Sequence, residues 1–172
     1  PKPPRHRYSL IEQADLCEAL LQLHGVTEVD VLAHDYGVSV AQELLARHLE
    51  RGGEGLKLRS VTLLNGGLFP ETHHPLAIQK LLLSPLGPLV GRLSSRARID
   101  ASMRAIFGPD SQPGQALLDG YWALISHGHG PRILHKLIRY MRERRVQRSR
   151  WVAAMQSGLV PLKLIDGGAD PI

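Results

Sequence analysis

The 172 residues contain a single cysteine, Cys17, so no disulfide can form within the chain and no cysteine-based metal site can be built. Aromatic side chains are scarce as well: two Trp, four Tyr and two Phe make up 5% of the sequence. That leaves few of the stacking platforms on which single-stranded nucleic acid binding depends. No stretch approaches the roughly 18 unbroken apolar residues that a membrane-spanning helix needs. There is no internal repeat, and no histidine follows His135. With 43% hydrophobic residues, the composition still supports a core, and the length fits one domain.

Charge is present but uneven. The formal net charge is +5, and the stretch from His135 to Arg150 holds Lys136, Arg139, Arg142, Arg144, Arg145, Arg148 and Arg150 against Glu143 alone. Such a run is ordinarily a solvated helix face. Nucleic acid is disfavoured as its partner, because only Tyr140 and Trp151 are available for stacking. Anionic lipid headgroups are the better functional alternative. Nearby, the segment 76–93 is rich in Leu but broken by Gln79, Lys80, Pro85 and Pro88, which suits core or lid packing better than a membrane interface. In Ser126-His127-Gly128-His129-Gly130 the two His lack a third ligand, so a loop is expected rather than a metal site.

Residues 28–37, Glu-Val-Asp-Val-Leu-Ala-His-Asp-Tyr-Gly, read as a strand ending in a tight turn. Asp35 stands at the tip, with Ala33 and Gly37 two positions away on either side. A nucleophile elbow needs that pattern, because small neighbours let the strand and helix backbones approach. An Asp at the tip points to a carboxylate that attacks carbon and forms an ester. The plain alternative is an Asp that caps the following helix.

The flanks predict alternating elements. Ser9 to Glu12 form a capping box, followed by Leu16, Leu20 and Leu23 at helical spacing, with Gly25 placed to end the helix. Val40, Ala41, Leu44, Leu45 and Leu49 make an apolar stripe closed by Gly52 and Gly53. Leu58 to Leu64 reads as the next strand, ending at Asn65-Gly66-Gly67, and Val160 to Ile165 as a third, leading into Asp166-Gly167-Gly168-Ala169-Asp170-Pro171. This order implies an α/β architecture with a parallel sheet, whose chemistry gathers at the carboxyl ends of strands. Asp35, Asn65 and Asp170 all fall there. A nucleophile after one strand and an acid after a later one fit the order nucleophile, acid, His; an ordinary Asp-Pro turn is the alternative for Asp170.

In register over essentially the whole chain, the sequence resembles the middle of an α/β-hydrolase of the epoxide hydrolase and haloalkane dehalogenase group. The match is carried by Tyr8-Ser9 with Glu12-Gln13-Ala14, by His34-Asp35-Tyr36-Gly37 with Ala41-Gln42-Glu43-Leu44-Leu45, and by Asn65 to His73. Pro75-Leu76, Gln79 to Leu82, Phe107-Gly108-Pro109, Arg150-Trp151-Val152 and Asp170-Pro171 continue it. The elbow is shared across the group, whereas Asn-Gly-Gly-Leu-Phe-Pro-Glu-Thr-His marks one narrower branch.

The resemblance implies a partial α/β-hydrolase fold, parallel strands with flanking helices, carrying an inserted helical cap. Residues 1–68 are expected to form the first part of the core, 69–155 the cap, and 156–172 the acid strand and turn. Asp35 would be the nucleophile, and the backbone N–H of Tyr36 one oxyanion-hole donor. Asp170 would be the acid orienting a His that is absent here. Tyr140 matches a cap tyrosine that donates its hydroxyl to the leaving oxygen, and Tyr121 is a weaker counterpart. Tyr121, Asn65 and Phe69 are candidate substrate-binding residues. A His-Gly-x-Pro-type loop is also missing, so the chain reads as a piece of a longer hydrolase, not competent alone. Two departures stand out. Tyr36 replaces the usual Trp, which disfavours halide release, and Asp166 adds a second carboxylate near Asp170. His34 is expected in a supporting or core position.

The function implied is hydrolysis of a small apolar or lipid-like epoxide through an alkyl-enzyme ester, with no metal, nucleotide or redox cofactor and no nucleic-acid partner. A non-catalytic, lipid- or partner-binding protein at the endoplasmic reticulum membrane is the alternative, with membrane-surface contact through the basic cap helix.

Overall fold

A computed structural model describes residue 3, residues 5–72 and residues 75–168. The chain divides into two compact units, one built from residues 9–72 and 140–168, the other mainly from 75–139.

The first unit holds a three-stranded parallel sheet in the order β1 (Glu28–His34), β2 (Lys57–Leu64), β3 (Leu162–Ile165). The register aligns Val31 with Val61 and Ala33 with Leu63, and on the far side Leu63 with Leu164. Parallel pairing needs a crossover, and helix α2 (Tyr36–Glu50) supplies the one between β1 and β2. The core forms where α2 meets the sheet: Val38, Ala41, Leu45, Val61, Leu63 and Trp151 are among its buried members.

Helix α2 is buried over ten consecutive residues, Val38 to Arg47, more than its apolar stripe predicts. The reason is that α1 (Leu10–Leu23) and the basic helix α8 (Tyr140–Gln156) both pack on it. The polar residues of α2 therefore face partners rather than water. Glu43 accepts from Arg47 Nε (2.8 Å) and from the Trp151 indole N–H (2.8 Å), and it pairs with Arg150. Arg47 reaches on to Asp15 and Glu18 of α1, each at 2.7 Å.

Helix α1 lies where its spacing predicts, but its leucine row is not its packed face. Leu16, Leu20 and Leu23 are 56%, 57% and 79% exposed, whereas Leu10 and Ala14 are fully buried. The face turned to α2 carries Leu10, Ala14 and the acids that pair with Arg47. The start of the helix also differs from a local capping box. Ser9 accepts from the Ile11 N–H, but the carboxylate at this terminus is Glu143 of α8, which accepts from the Leu10 N–H at 2.7 Å and from the Ser9 hydroxyl at 3.1 Å. Gly25, Gly52 and Gly53 adopt positive φ, as helix ends there require.

The second unit is a cluster of short helices: α3 (Ala77–Leu83), α4 (Gly87–Arg92), α5 (Arg96–Ile106), α6 (Gln115–Ser126) and α7 (Leu134–Leu137). Pro85 lies between α3 and α4, and Pro88 stands in the first turn of α4, where its missing N–H has no helical partner to lose. Gly91 lets α4 close on the chain after α6, since a Cβ there would stand 2.6 Å from the Pro131 carbonyl oxygen. Arg96 of α5 pairs with Asp119 of α6. His127 to Gly130 form a tight turn with positive φ at Gly128 and His129, and no metal-ligating cluster occurs among the described residues.

Candidate active site

Between β1 and α2 the chain reverses in one residue. Asp35 sits at φ 50°, ψ −116°, a conformation that a non-glycine residue holds only under constraint. Its N–H donates to the Leu64 carbonyl (3.3 Å) and its own carbonyl accepts from Val38 N–H (3.1 Å), so backbone bonds on both sides fix the turn. The carboxylate is exposed and makes no capping bond to the helix. The plain N-cap role is thus not what this side chain performs.

Crowding at the turn falls in a different place from the one the small residues at 33 and 37 suggest. A Cβ on Gly37 would rest 3.9 Å from the Ala33 Cβ, an ordinary contact. The tight position is Gly66, where a Cβ would collide with the Val38 side chain. Val38 is fully buried at the start of α2, so Gly66 is what lets the end of β2 lie against the Asp35 turn.

Tyr36 opens α2, where its backbone N–H has no acceptor within the helix. Its ring meets that of Tyr140 edge to face, centroids 5.5 Å apart. Burial, reinforced by the Glu143 charge, pushes the Tyr36 hydroxyl up to about 12. Burial also raises that of Tyr140, helped by the Asp35 carboxylate and opposed by Arg144. Both phenols therefore remain protonated donors at neutral pH, and no hydrogen bond among the described residues engages either hydroxyl.

Arg144 completes the cluster and was invisible within a run of seven basic residues. It is only 4% exposed. Its Nε donates to Ser39 Oγ at 2.7 Å, and its guanidinium lies 4.7 Å from the centroid of the Tyr140 ring. It occupies the space that a side chain at Gly67 would take. Burial lowers the pKa of this guanidinium, while the charge of Asp35 favours its protonated form. No acid among the described residues is paired with it. Further along α8, Arg148 pairs with Glu71, and Arg150 with Glu43 and Glu50. Part of the basic run is thus paired with acids or buried rather than a free charged face.

Asn65, at the end of β2, has φ 35° and accepts the Gly167 N–H on Oδ1 at 3.1 Å, tying the β2 terminus to the turn after β3. Phe69 follows in the same unit, 36% exposed, its carbonyl accepting from Thr72. Tyr121 lies on α6 in the other unit. Asp170 lies outside the described residues. His34 is exposed rather than a core residue, because β1 is an edge strand of this sheet.

No protein-family model matches the chain. It is 39% identical over 175 residues to mesoderm-specific transcript protein of Mus musculus, and equally to its Homo sapiens counterpart, covering 99% of this chain and 52% of each relative. It is 42% identical over 172 residues to "Putative hydrolase LipZ" of Mycobacterium tuberculosis, covering 59% of that protein. The chain is a homologue of both. It spans about half the length of the curated relatives it matches. Among solved structures, haloalkane dehalogenase DatA from Agrobacterium tumefaciens (a point mutant) aligns with TM-score 0.67 and 16% identity over 94% of this chain and 57% of that one. Epoxide hydrolase CorEH aligns with TM-score 0.66 and 13% identity over 98% and 61%. N-acyl homoserine lactonase AidH aligns with TM-score 0.57 and 18% identity over 99% and 55%. At these identities the structures establish the fold: three parallel strands and their helices in the α/β-hydrolase arrangement.

Proposed function

We propose that the chain carries the nucleophile half of an epoxide-hydrolase-like active site, with the Asp35 turn as its nucleophile elbow. One observation carries this reading: an exposed carboxylate, with no hydrogen bond among the described residues, held at positive φ between a strand and a helix. One Asp35 oxygen attacks an epoxide carbon, the C–O bond breaks, and its electrons remain on the ring oxygen. The Tyr140 hydroxyl hydrogen-bonds that oxygen and supplies its proton. The product is an ester on Asp35, and the negative charge of its hydrolytic intermediate is met by the Tyr36 N–H. Water, deprotonated by a His, then adds to the ester carbonyl; the ester C–O bond breaks to release diol and free carboxylate, and the proton taken from water restores the Tyr140 hydroxyl. Asp170 orients that His. Residues 69–155 are read as the cap segment of such a hydrolase, and the substrate as small and apolar.

No His follows Asp170 in these 172 residues, so the chain alone forms the ester and stops. Incubation with a terminal alkyl epoxide tests this: one equivalent of adduct is expected, and steady turnover by the 172-residue chain contradicts it.

A second reading, a non-catalytic lipid-binding protein at the endoplasmic reticulum membrane, is favoured by the exposure of Leu76, Ile78, Leu86, Leu89 and Leu93 in the second unit. No helix among the described residues is long and apolar enough to cross a membrane. Asp35→Asn separates the two, since it abolishes the enzyme and leaves lipid binding unchanged.

A further inference from the structure

Tyr140 and Arg144 stand one turn apart on α8, so their side chains share a face of that helix. The guanidinium lies over the Tyr140 ring, 4.7 Å from its centroid, while Tyr36 meets the same ring edge to face at 5.5 Å. Arg144 is held in place by its Nε, which donates to Ser39 Oγ at 2.7 Å, and Ser39 is fully buried in α2. The cleft beside it is no larger than one water, so this charge acts on protein groups rather than on a solute. All four side chains belong to one compact unit with the Asp35 turn and with Gly67, whose missing Cβ leaves room for the guanidinium. Tyr140 thus packs on the residue next to Asp35, with a fixed cation on its ring.

From this geometry we infer that Arg144 is a positioning residue for Tyr140: anchored on Ser39, it holds the phenol ring and makes its hydroxyl a stronger proton donor to the opening epoxide. The inference deepens the reading of Asp35 as nucleophile and rests on it for the reaction served. Its physical basis is a charge that moves. Before the reaction the negative charge is the Asp35 carboxylate. As an Asp35 oxygen bonds to carbon and the ring C–O bond breaks, the proton passes from Tyr140 to the ring oxygen. The negative charge then sits on the Tyr140 phenolate, and Asp35 has become a neutral ester. A cation over the phenol ring meets that charge where it develops, in a buried setting that screens it little. Burial disfavours the phenolate, and the Asp35 charge adds to that; Arg144 opposes both. Glu143 and Glu12 act on the neighbouring Tyr36. Gly67 belongs to the device, because any side chain there would evict the guanidinium.

The test follows the Tyr140 phenol itself. Ring-labelled tyrosine gives one nuclear magnetic resonance signal for each of the four tyrosines, and Tyr140→Phe identifies the one to follow as alkali is added. In Arg144→Met the Tyr140 signal is expected to titrate at higher pH than in the parent, with Arg144→Lys restoring part of the difference. Gly67→Ala should move it the same way by displacing the guanidinium, so the inference stays testable even where Arg144→Met fails to fold. Trp151→Phe, on the same helix but bonded to Glu43, should lose stability without moving it, which separates positioning from general weakening. At neutral pH, ester formation on Asp35 from a terminal alkyl epoxide should slow roughly tenfold in Arg144→Met or Gly67→Ala, the scale of a desolvated cation–π contact. A Tyr140 titration unmoved in the folded variants, or ester formed in them at the parent's rate, overturns the inference. A moved titration in a parent that forms no ester supports the coupling of Arg144 to Tyr140 and overturns the Asp35 reading alone.

Discussion

The indole N–H of Trp151 donates to Glu43 at 2.8 Å, across the contact between α8 and α2. Both side chains are almost wholly buried, and Glu43 also receives Arg47 and Arg150. One carboxylate therefore joins the helix after the Asp35 turn to the helix that carries Tyr140 and Arg144. Removing one member of such a buried network leaves the others unpaired. Glu43→Ala should cost about 3–5 kcal/mol in a urea melt, and Trp151→Phe, which loses one bond to a charged group, about 1.5–3 kcal/mol. A Glu43→Ala chain within half a kcal/mol of the parent would contradict this picture.

The same network sets a pH dependence. Burial pushes the Glu43 carboxyl up, but bonds from Arg150, Trp151 and Arg47 outweigh it and hold the group below its ordinary 4.5. Bonds from Arg51 and Arg47 likewise outweigh burial at Glu18, and the Arg150 bond lowers Glu50. A folded-state pKa below the unfolded one means stability that is complete above about 4.5 and lost as pH falls through the folded values. Urea midpoints are expected to be level from pH 7 to 5 and to drop below 4.5, with a shallower drop in Glu43→Gln. A midpoint that stays level down to pH 3 would rule this out.

These pairings were not legible in the sequence. Glu43 and its partners Arg150 and Trp151 are more than 100 residues apart, and nothing in a run of arginines distinguishes the one that is buried from those that are solvated. The same applies to Glu143, which caps α1 from afar where a local Glu12 fits the motif equally well. Local chemistry was readable instead. The β1 turn, the strand ending at Asn65 and the glycines at positive φ follow from residue types whose backbone preferences act over two or three positions. The leucine row of α1 shows the limit of periodicity: spacing gives the helix, but the partner decides which face is buried.

Strain at the turn can be measured directly. Asp35→Gly puts at φ 50° the one residue that accepts it freely, and should stabilise the chain by about 1 kcal/mol even though the carboxylate is gone. A destabilised Asp35→Gly chain would mean that the turn is not strained.

Gly66 and Gly67 should differ when changed to Ala. At Gly66 the collision is with the fully buried Val38, its Cβ at 2.6 Å included, so Gly66→Ala should cost about 1–3 kcal/mol and not be rescued by Val38→Ala, which keeps that Cβ. At Gly67 the obstacle is the end of a flexible arginine, so Gly67→Ala should be milder in stability while displacing Arg144 from Ser39. Thermal melts of the three variants check the first pair, and loss of protection of the Arg144 Nε–H in nuclear magnetic resonance checks the second.

The central claim is that the side chain at position 35 attacks carbon. Incubating the 172-residue chain with an epoxide, digesting it and mapping the mass increment by tandem mass spectrometry tests it most directly. The account predicts one stoichiometric ester on Asp35, absent from Asp35→Asn. An unmodified Asp35, or an adduct that persists in Asp35→Asn, would contradict it.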